Sequence, residues 1–321
     1  MKKMTIFYAL TTAVALSCAS VSWAQPPMNE QISDAEKNAR NAEVNRELVP
    51  RSDKMGLLIC FHGAGSPKWN ALTDSIVAKV RDINNKEKKF FAVEGANMEF
   101  TFHGDAVDGV ETLEKAGCDL IVVVPAFIFP TSHVQFDVVS VLGVYGEASR
   151  RVDLREEGIR TVHTKLPIVM AGVLADGDLV KEYVVDQAKS ISKEPKDERL
   201  LIVAHGDEDY RGLVEHLTEP AVSASKELGF DKVETAWVEM GQSFGKNAKP
   251  IVQENTKEGK KTLIIAVYLA SAGNGFVERI AKWQEDASLE GLDWVGNETP
   301  IGEFEKTPAH IYELGVAASL Y

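Results

Sequence analysis

The sequence predicts an α/β fold built as two tandem parallel-sheet domains related by internal duplication. Three observations predict it. Unbroken apolar runs at 56–61 and 120–125 have strand length, and such runs mark strands buried on both faces, as in parallel sheets. Segments with helically spaced apolar residues separate those runs, and this alternation reads as βα units. After a charged break at 193–198 the pattern starts again: Gly56-Leu-Leu-Ile-Cys-Phe-His62-Gly63 is echoed by Arg199-Leu-Leu-Ile-Val-Ala-His205-Gly206.

Taken in order, residues 1–24 read as a signal peptide. Lys2 and Lys3 precede the apolar stretch 6–16, and Ser22-Trp23-Ala24 offers the small residues a signal peptidase reads. The apolar stretch is too short to span a bilayer comfortably, and no later segment is apolar enough, so a periplasmic or secreted location without a membrane span is expected. Residues 25–54 form a polar, charged N-terminal arm with few large apolar groups. The first domain, 55–195, then reads as a strand at 56–61, a helix carrying Leu72, Ile76, Val77, Val80 and Ile83, a strand at 89–93, and a helix at 106–116. A strand at 120–125, a helical stretch after His133, a strand at 166–171 and a helix at 178–192 complete it.

The second domain, 196–321, repeats these marks. Ala96-Asn97-Met98-Glu99 matches Ala236-Trp237-Val238-Glu239, and 120–133 aligns without a gap with 261–274. The halves close alike as well, 172–189 against 299–317, in a looser match.

The formal charge of −13 becomes −15 once Lys2 and Lys3 are removed. Nucleic acid, whose phosphates need a basic footprint, is excluded as a partner. No phosphate loop of the Walker type is present, so neither nucleotide nor organic cofactor is implied. Beyond the leader only Cys60 and Cys118 remain. One falls near a strand end and the other at a strand start, opposite edges of a parallel sheet, so two inert buried thiols are expected rather than a disulfide.

Ligands of parallel α/β sheets sit outside the carboxyl ends of the strands. His62, Glu99 and His133 each fall at such an end. Two imidazoles and a carboxylate suit a borderline divalent metal, and the same groups accept protons near neutral pH. In the second half His205 and Glu239 are retained as a possible secondary set, but Asn274 stands where the second histidine would be, and an amide is a poor ligand for such a metal. The second site is therefore degenerate.

These motifs resemble the class II chelatases, in the CbiX-like family of sirohydrochlorin cobaltochelatases and ferrochelatases, over most of 55–321. The family's first motif is an apolar strand ending in Gly-His-Gly-Ser, with Pro five and Asn eight residues after the histidine; here it reads Phe61-His62-Gly63-Ala64, then Pro67 and Asn70. The second is a Val-rich strand, Pro-x-Phe-x-Phe, a turn and His-Val, matched by Val122-Val-Val-Pro125-Ala-Phe127-Ile-Phe129-Pro-Thr-Ser-His133-Val134. The family's intervening Leu-Glu pair matches Met98-Glu99. The resemblance implies two chelatase-like (flavodoxin-like) domains around a cleft that holds a planar tetrapyrrole. It implies a lyase-type insertion of Co²⁺ or Fe²⁺, as in cobalamin biosynthesis, with His62 and His133 as metal-binding and proton-accepting residues and Glu99 lining the same cleft. The metal is substrate. The chain departs from the pattern at Phe61, where the family has a small Gly, at Ala64 for Ser, and at Gly65, where many relatives have Arg.

Two other readings compete. An exported protein with a degenerate second half suits a non-catalytic carrier of metal, haem or another tetrapyrrole. Gly241-Gln-Ser243-Phe-Gly245 imitates the nucleophile elbow of a serine hydrolase, with Asp286 and His310 in the right chain order for a triad, although the duplication already accounts for that segment. His103, His163 and His216 lie outside the repeated positions and read as surface or structural; Arg150, Arg151 and Arg155 form a basic run able to receive ligand carboxylates.

Overall fold

A computed structural model describes residues 52–99, 104–144, 148–205, 210–238, 244–269, 291–297 and 299–320. In the first half, strand β1 (Met55–Phe61) leads to helix α1 (Pro67–Glu87), β2 (Ala92–Asn97), α2 (Ala106–Ala116) and β3 (Leu120–Pro125). A π-helical turn at His133–Val138 runs into the short α3 (Val139–Val141), followed by α4 (Ala148–Glu156), β4 (Ile168–Met170) and α5 (Leu179–Ile191). The second half repeats the scheme with β5 (Glu198–His205), α6 (Arg211–Glu227), β6 (Val233–Val238), α7 (Phe244–Asn247), α8 (Lys249–Lys257), β7 (Lys261–Val267), β8 (Trp294–Gly296) and α9 (Thr307–Ser319).

Each half holds a four-stranded parallel sheet, ordered β2-β1-β3-β4 and β6-β5-β7-β8. The duplication extends to the register. Leu57 lies opposite Val93 and Gly56 opposite Ile121; their repeat counterparts Leu200 and Arg199 lie opposite Val233 and Thr262. Strand alternation sends Leu57, Ile59 and Phe61, with Leu200, Ile202 and Ala204, into one core shared by the two halves. Leu58 and Cys60 face a second core beneath α2, and Leu201 and Val203 a third beneath α8.

The shared core exists because the closing helices are exchanged. Helix α5 packs on α6 and β7 of the second half, and α9 packs on α1 and β3 of the first. Buried polar links fix the exchange. Tyr183 of α5 donates to the Thr299 carbonyl at 2.7 Å and accepts from Asn297 Nδ2 at 2.5 Å. From α9, Gly315 sits so close to β1 that a Cβ there would meet Leu57 Cδ1 at 2.8 Å. The expected match of 172–189 with 299–317 recurs in the backbone. The Leu174 and Ala175 amides donate to the Phe127 and Ile128 carbonyls, as those of Ile301 and Gly302 donate to Tyr268 and Leu269.

The second strand is a correction: it runs Ala92–Asn97, not 89–93. Residues 88–90 close the preceding helix instead. Lys88 takes a left-handed cap conformation (φ 55°), while Asn84 accepts from the Phe90 amide and donates to its carbonyl, both at 2.9 Å. Cys60 and Cys118 are both free, and burial pushes the Cys60 thiol up to about 12.

One exchanged contact is titratable. His310 of α9 donates from Nε2 to the Leu174 carbonyl at 3.1 Å. Burial pulls its pKa below 6.5, against opposing contributions from the Leu174 and Asp176 backbone, Glu313 and the Asp176 carboxylate. The unfolded chain then binds the proton more readily, so stability is lost as pH falls through 6.5 toward the lower native value. His310→Gln is expected to flatten the slope of unfolding free energy between pH 7 and 5 by no more than one proton's share, about 1.4 kcal/mol per pH unit. Urea denaturation of both proteins across that range measures it; equal slopes would contradict the assignment.

Candidate active site at the carboxyl edge of the first sheet

Three connections converge where β1, β2 and β3 end. His62 directly follows β1, Glu99 follows β2, and His133 opens the π-helical turn beyond β3. The β1–β2 ladder continues past its last pair: the Met98 amide donates to the Phe61 carbonyl and the Glu99 amide to the His62 carbonyl, each at 2.8 Å. Gly63 makes this approach possible. It has φ 93°, and a Cβ there would stand 2.0 Å from the Glu99 carbonyl oxygen. The loop then enters α1 through Pro67, which occupies the first turn, where a missing N–H goes unpunished.

One ligand atom from each of His62, Glu99 and His133 lies within 4.8 Å of the others. His62 Nε2 and Glu99 Oε2 are 3.6 Å apart. Ligand bonds of about 2.1 Å to a shared ion would span that gap at roughly 120°. The imidazole rings of His62 and His133 meet edge to face, with centroids 4.9 Å apart, and Phe127 stacks on His133 at 6.3 Å. All three ligand residues are partly exposed, so an ion held here keeps coordination positions open toward a substrate.

The tautomers are set from behind. His62 donates from Nδ1 to the Gly63 carbonyl at 2.9 Å, and His133 donates from Nδ1 to Asp137 Oδ2 at 2.7 Å. With Nδ1 carrying the proton, Nε2 is the ring nitrogen of each that could ligate a metal. Asp137 is buried at 6 % exposure, one turn beyond His133. The sequence reading passed over it; its only signal is a carboxylate four residues after a candidate ligand. The π-helical turn that aligns the two is itself a feature frequent at functional sites.

The departures from the family pattern are absorbed structurally. Phe61 is 1 % exposed and packs into the shared core, so its bulk is not spent on the site. Ala64 is buried and Gly65 exposed. In the second half, His205 ends β5 opposite Val238. Its side chain, like Glu239 and Asn274, lies outside the described residues, and so do His103, Ser243, Asp286 and the side chains of Arg150 and Arg151. His310 spends its Nε2 on a backbone carbonyl. His163, His216 and Arg155 are exposed, as expected of surface positions.

Residues 56–191 match the model of the CbiX family. No protein with a curated description matches the sequence. Among solved structures, the chain is similar to SirB from Bacillus subtilis with Fe³⁺, at TM-score 0.63 and 17 % identity, over 83 % of this chain and 96 % of that one. It is also similar to the sirohydrochlorin chelatase SirB from B. subtilis subspecies spizizenii in complex with cobalt (0.56; 15 %; 83 % and 95 %). A third is CbiX, described as the terminal enzyme for biosynthesis of siroheme in denitrifying bacteria (0.50; 15 %; 82 % and 99 %). At these identities the structures establish the two-domain chelatase fold, and residues 56–191 of the first half are the part of the chain that is similar to the CbiX family.

Proposed function

We propose that this protein inserts a divalent metal, Co²⁺ or Fe²⁺, into sirohydrochlorin or a related tetrapyrrole seated at the carboxyl edges of the two sheets. The observation that carries this is the convergence of His62, Glu99 and His133 within 4.8 Å. The match of residues 56–191 to the CbiX family model and the likeness to the metal-bound structures named for SirB support it.

The chemistry follows from charge balance. A dication entering the macrocycle displaces two pyrrole N–H protons, so the site must release a metal and accept protons. Nε2 of His62 and of His133 can hold the ion through its lone pair and then take a proton once the ion has left. Glu99 supplies the negative charge that draws the ion in and can accept the other proton. Three protein ligands hold an ion without enclosing it, which suits transfer better than storage. In this reading the second half forms the opposite wall, and residues 1–24 direct the protein to the periplasm or medium.

The test is anaerobic insertion by the protein lacking residues 1–24, followed through the visible absorbance of sirohydrochlorin with Co²⁺ or Fe²⁺. Many metallated products per protein molecule, formed well above the rate without protein, are expected. Stoichiometric, saturable binding of metal or tetrapyrrole with no acceleration would replace the enzyme by a carrier.

A further inference from the structure

His310 belongs to the second half, yet its ring ends against the first. Its Nε2 donates to the Leu174 carbonyl at 3.1 Å, and Gly177 stands so near that a Cβ there would meet His310 Cε1 at 3.2 Å. Leu174 is fully buried and lies in the connection between β4 and α5. Its carbonyl faces His310, while its amide donates to the Phe127 carbonyl at 2.9 Å. The ring of Phe127 in turn lies against both imidazoles. It stacks on His133 at 6.3 Å with 27° between the planes, and meets His62 edge to face at 6.2 Å. One residue, Leu174, therefore links the closing helix of the second half to the ring that backs two of the three candidate ligands.

The second half uses the same device with a different side chain. There the exchanged helix α5 brings Tyr183, whose hydroxyl donates to the Thr299 carbonyl in the connection after β8. The chain beyond β7, however, leads to Asn274 where the first half has His133. Only the link made by His310 ends on a histidine suited to a metal.

The cost of breaking it says how it acts. Without the His310 donor the buried Leu174 carbonyl is left unsatisfied, which costs about 1–3 kcal/mol. Relief requires turning the Leu174 backbone, and that strains its bond to Phe127. A stacked aromatic pair contributes about 0.5–1.5 kcal/mol, enough to bias the His133 ring only while the partner ring is itself held.

We propose that His310 is a positioning residue for the candidate metal cluster: through Leu174 and Phe127 it holds the His133 ring in the orientation that converges on His62 and Glu99. The second half then contributes to affinity at the first half's site without supplying a ligand. That the cluster binds metal rests on the function proposed above; the hold on the His133 ring does not.

The experiment compares the full protein with His310→Leu, His310→Gln, Phe127→Leu and the double variant His310→Leu/Phe127→Leu. Two quantities are read: the His133 ring-proton resonances in metal-free protein, assigned with His133→Ala, and the affinity for Co²⁺ alone, titrated through its visible absorbance. His310→Leu should displace the His133 resonances part of the way toward their positions in Phe127→Leu. It should also weaken Co²⁺ by about tenfold, the low end of what an orienting partner contributes. His310→Gln keeps an N–H donor and should cost no more than about twofold. In the Phe127→Leu background, His310→Leu should weaken Co²⁺ no further, since the two act through one contact. A merely less stable protein would bind fewer Co²⁺ per chain at unchanged affinity. Should His310→Leu fail to fold, His310→Ala takes its place with the same expectations. Unmoved His133 resonances, or losses that add in the double variant, would overturn the proposal. Displaced resonances with no Co²⁺ bound by the wild type would overturn the chelatase reading and leave the positioning role standing.

Discussion

Replacing His133 by alanine is expected to lower kcat for metal insertion by about a thousandfold, within the 10²–10⁴ that a positioned acid or base contributes. His133 is one of three candidate ligands within 4.8 Å, and its loss leaves an imidazole and a carboxylate 3.6 Å apart. In the proposed reaction it is also one of the proton acceptors. His62→Ala should act alike, because the rings meet face to edge at 4.9 Å and in the proposed reaction would hold the same ion. Asp137→Asn is the sharper test. Asparagine keeps the shape but loses the charge that fixes the proton on His133 Nδ1 at 2.7 Å, and loss of such a partner typically costs 10–100-fold in metal affinity or activity. The expected order is therefore wild type, then Asp137→Asn, then either histidine variant, at unchanged unfolding midpoints for the partly exposed histidines. Asp137→Asn as damaging as His133→Ala would mean that Asp137 itself acts on the substrate. Asp137→Asn without effect would mean that Nδ1 is fixed by another group.

The sequence made the strands legible because burial on both faces leaves an unbroken apolar run: 56–61 and 120–125 appear within an error of one residue as Met55–Phe61 and Leu120–Pro125. The edge strand at Ala92–Asn97 was harder, since half its residues are only partly buried and Glu94 and Gly95 interrupt the pattern. The repeat was legible as identity of residue types, and the ladders carry it at the same register. The exchange of closing helices was not. The apolar faces of α5 and α9 say that each is buried but not against which sheet, because both inner sheet faces offer the same aliphatic surface. At the site, His62, Glu99 and His133 could be placed because a parallel sheet brings its strand ends to one edge. Asp137 could not, since its alignment with His133 depends on a π-helical turn that propensity does not announce.

Gly63→Ala is expected to abolish insertion and to lower stability by about 3 kcal/mol or more. Two costs add. Gly63 has φ 93°, beyond the small left-handed region open to other residues, and holding alanine there costs on the order of 1–3 kcal/mol. The new Cβ would also stand 2.0 Å from the Glu99 carbonyl oxygen and 2.9 Å from its carbon, which are backbone and cannot swing aside as a side chain would. Relief requires separating the two connections, and that breaks the hydrogen bond from the Glu99 amide to the His62 carbonyl. Ligands from both connections then move apart together. Gly117→Ala is the control: it also has positive φ (94°), but a Cβ there meets nothing within 4 Å, so it should cost stability through conformation alone and leave insertion intact. Chemical denaturation of the three proteins with parallel insertion assays separates the two costs. Equal losses in both variants would show that strain, not the approach of Gly63 to Glu99, governs the site. Wild-type insertion by Gly63→Ala would show that the β1 and β2 connections need not be held together for Glu99 to work with the histidines.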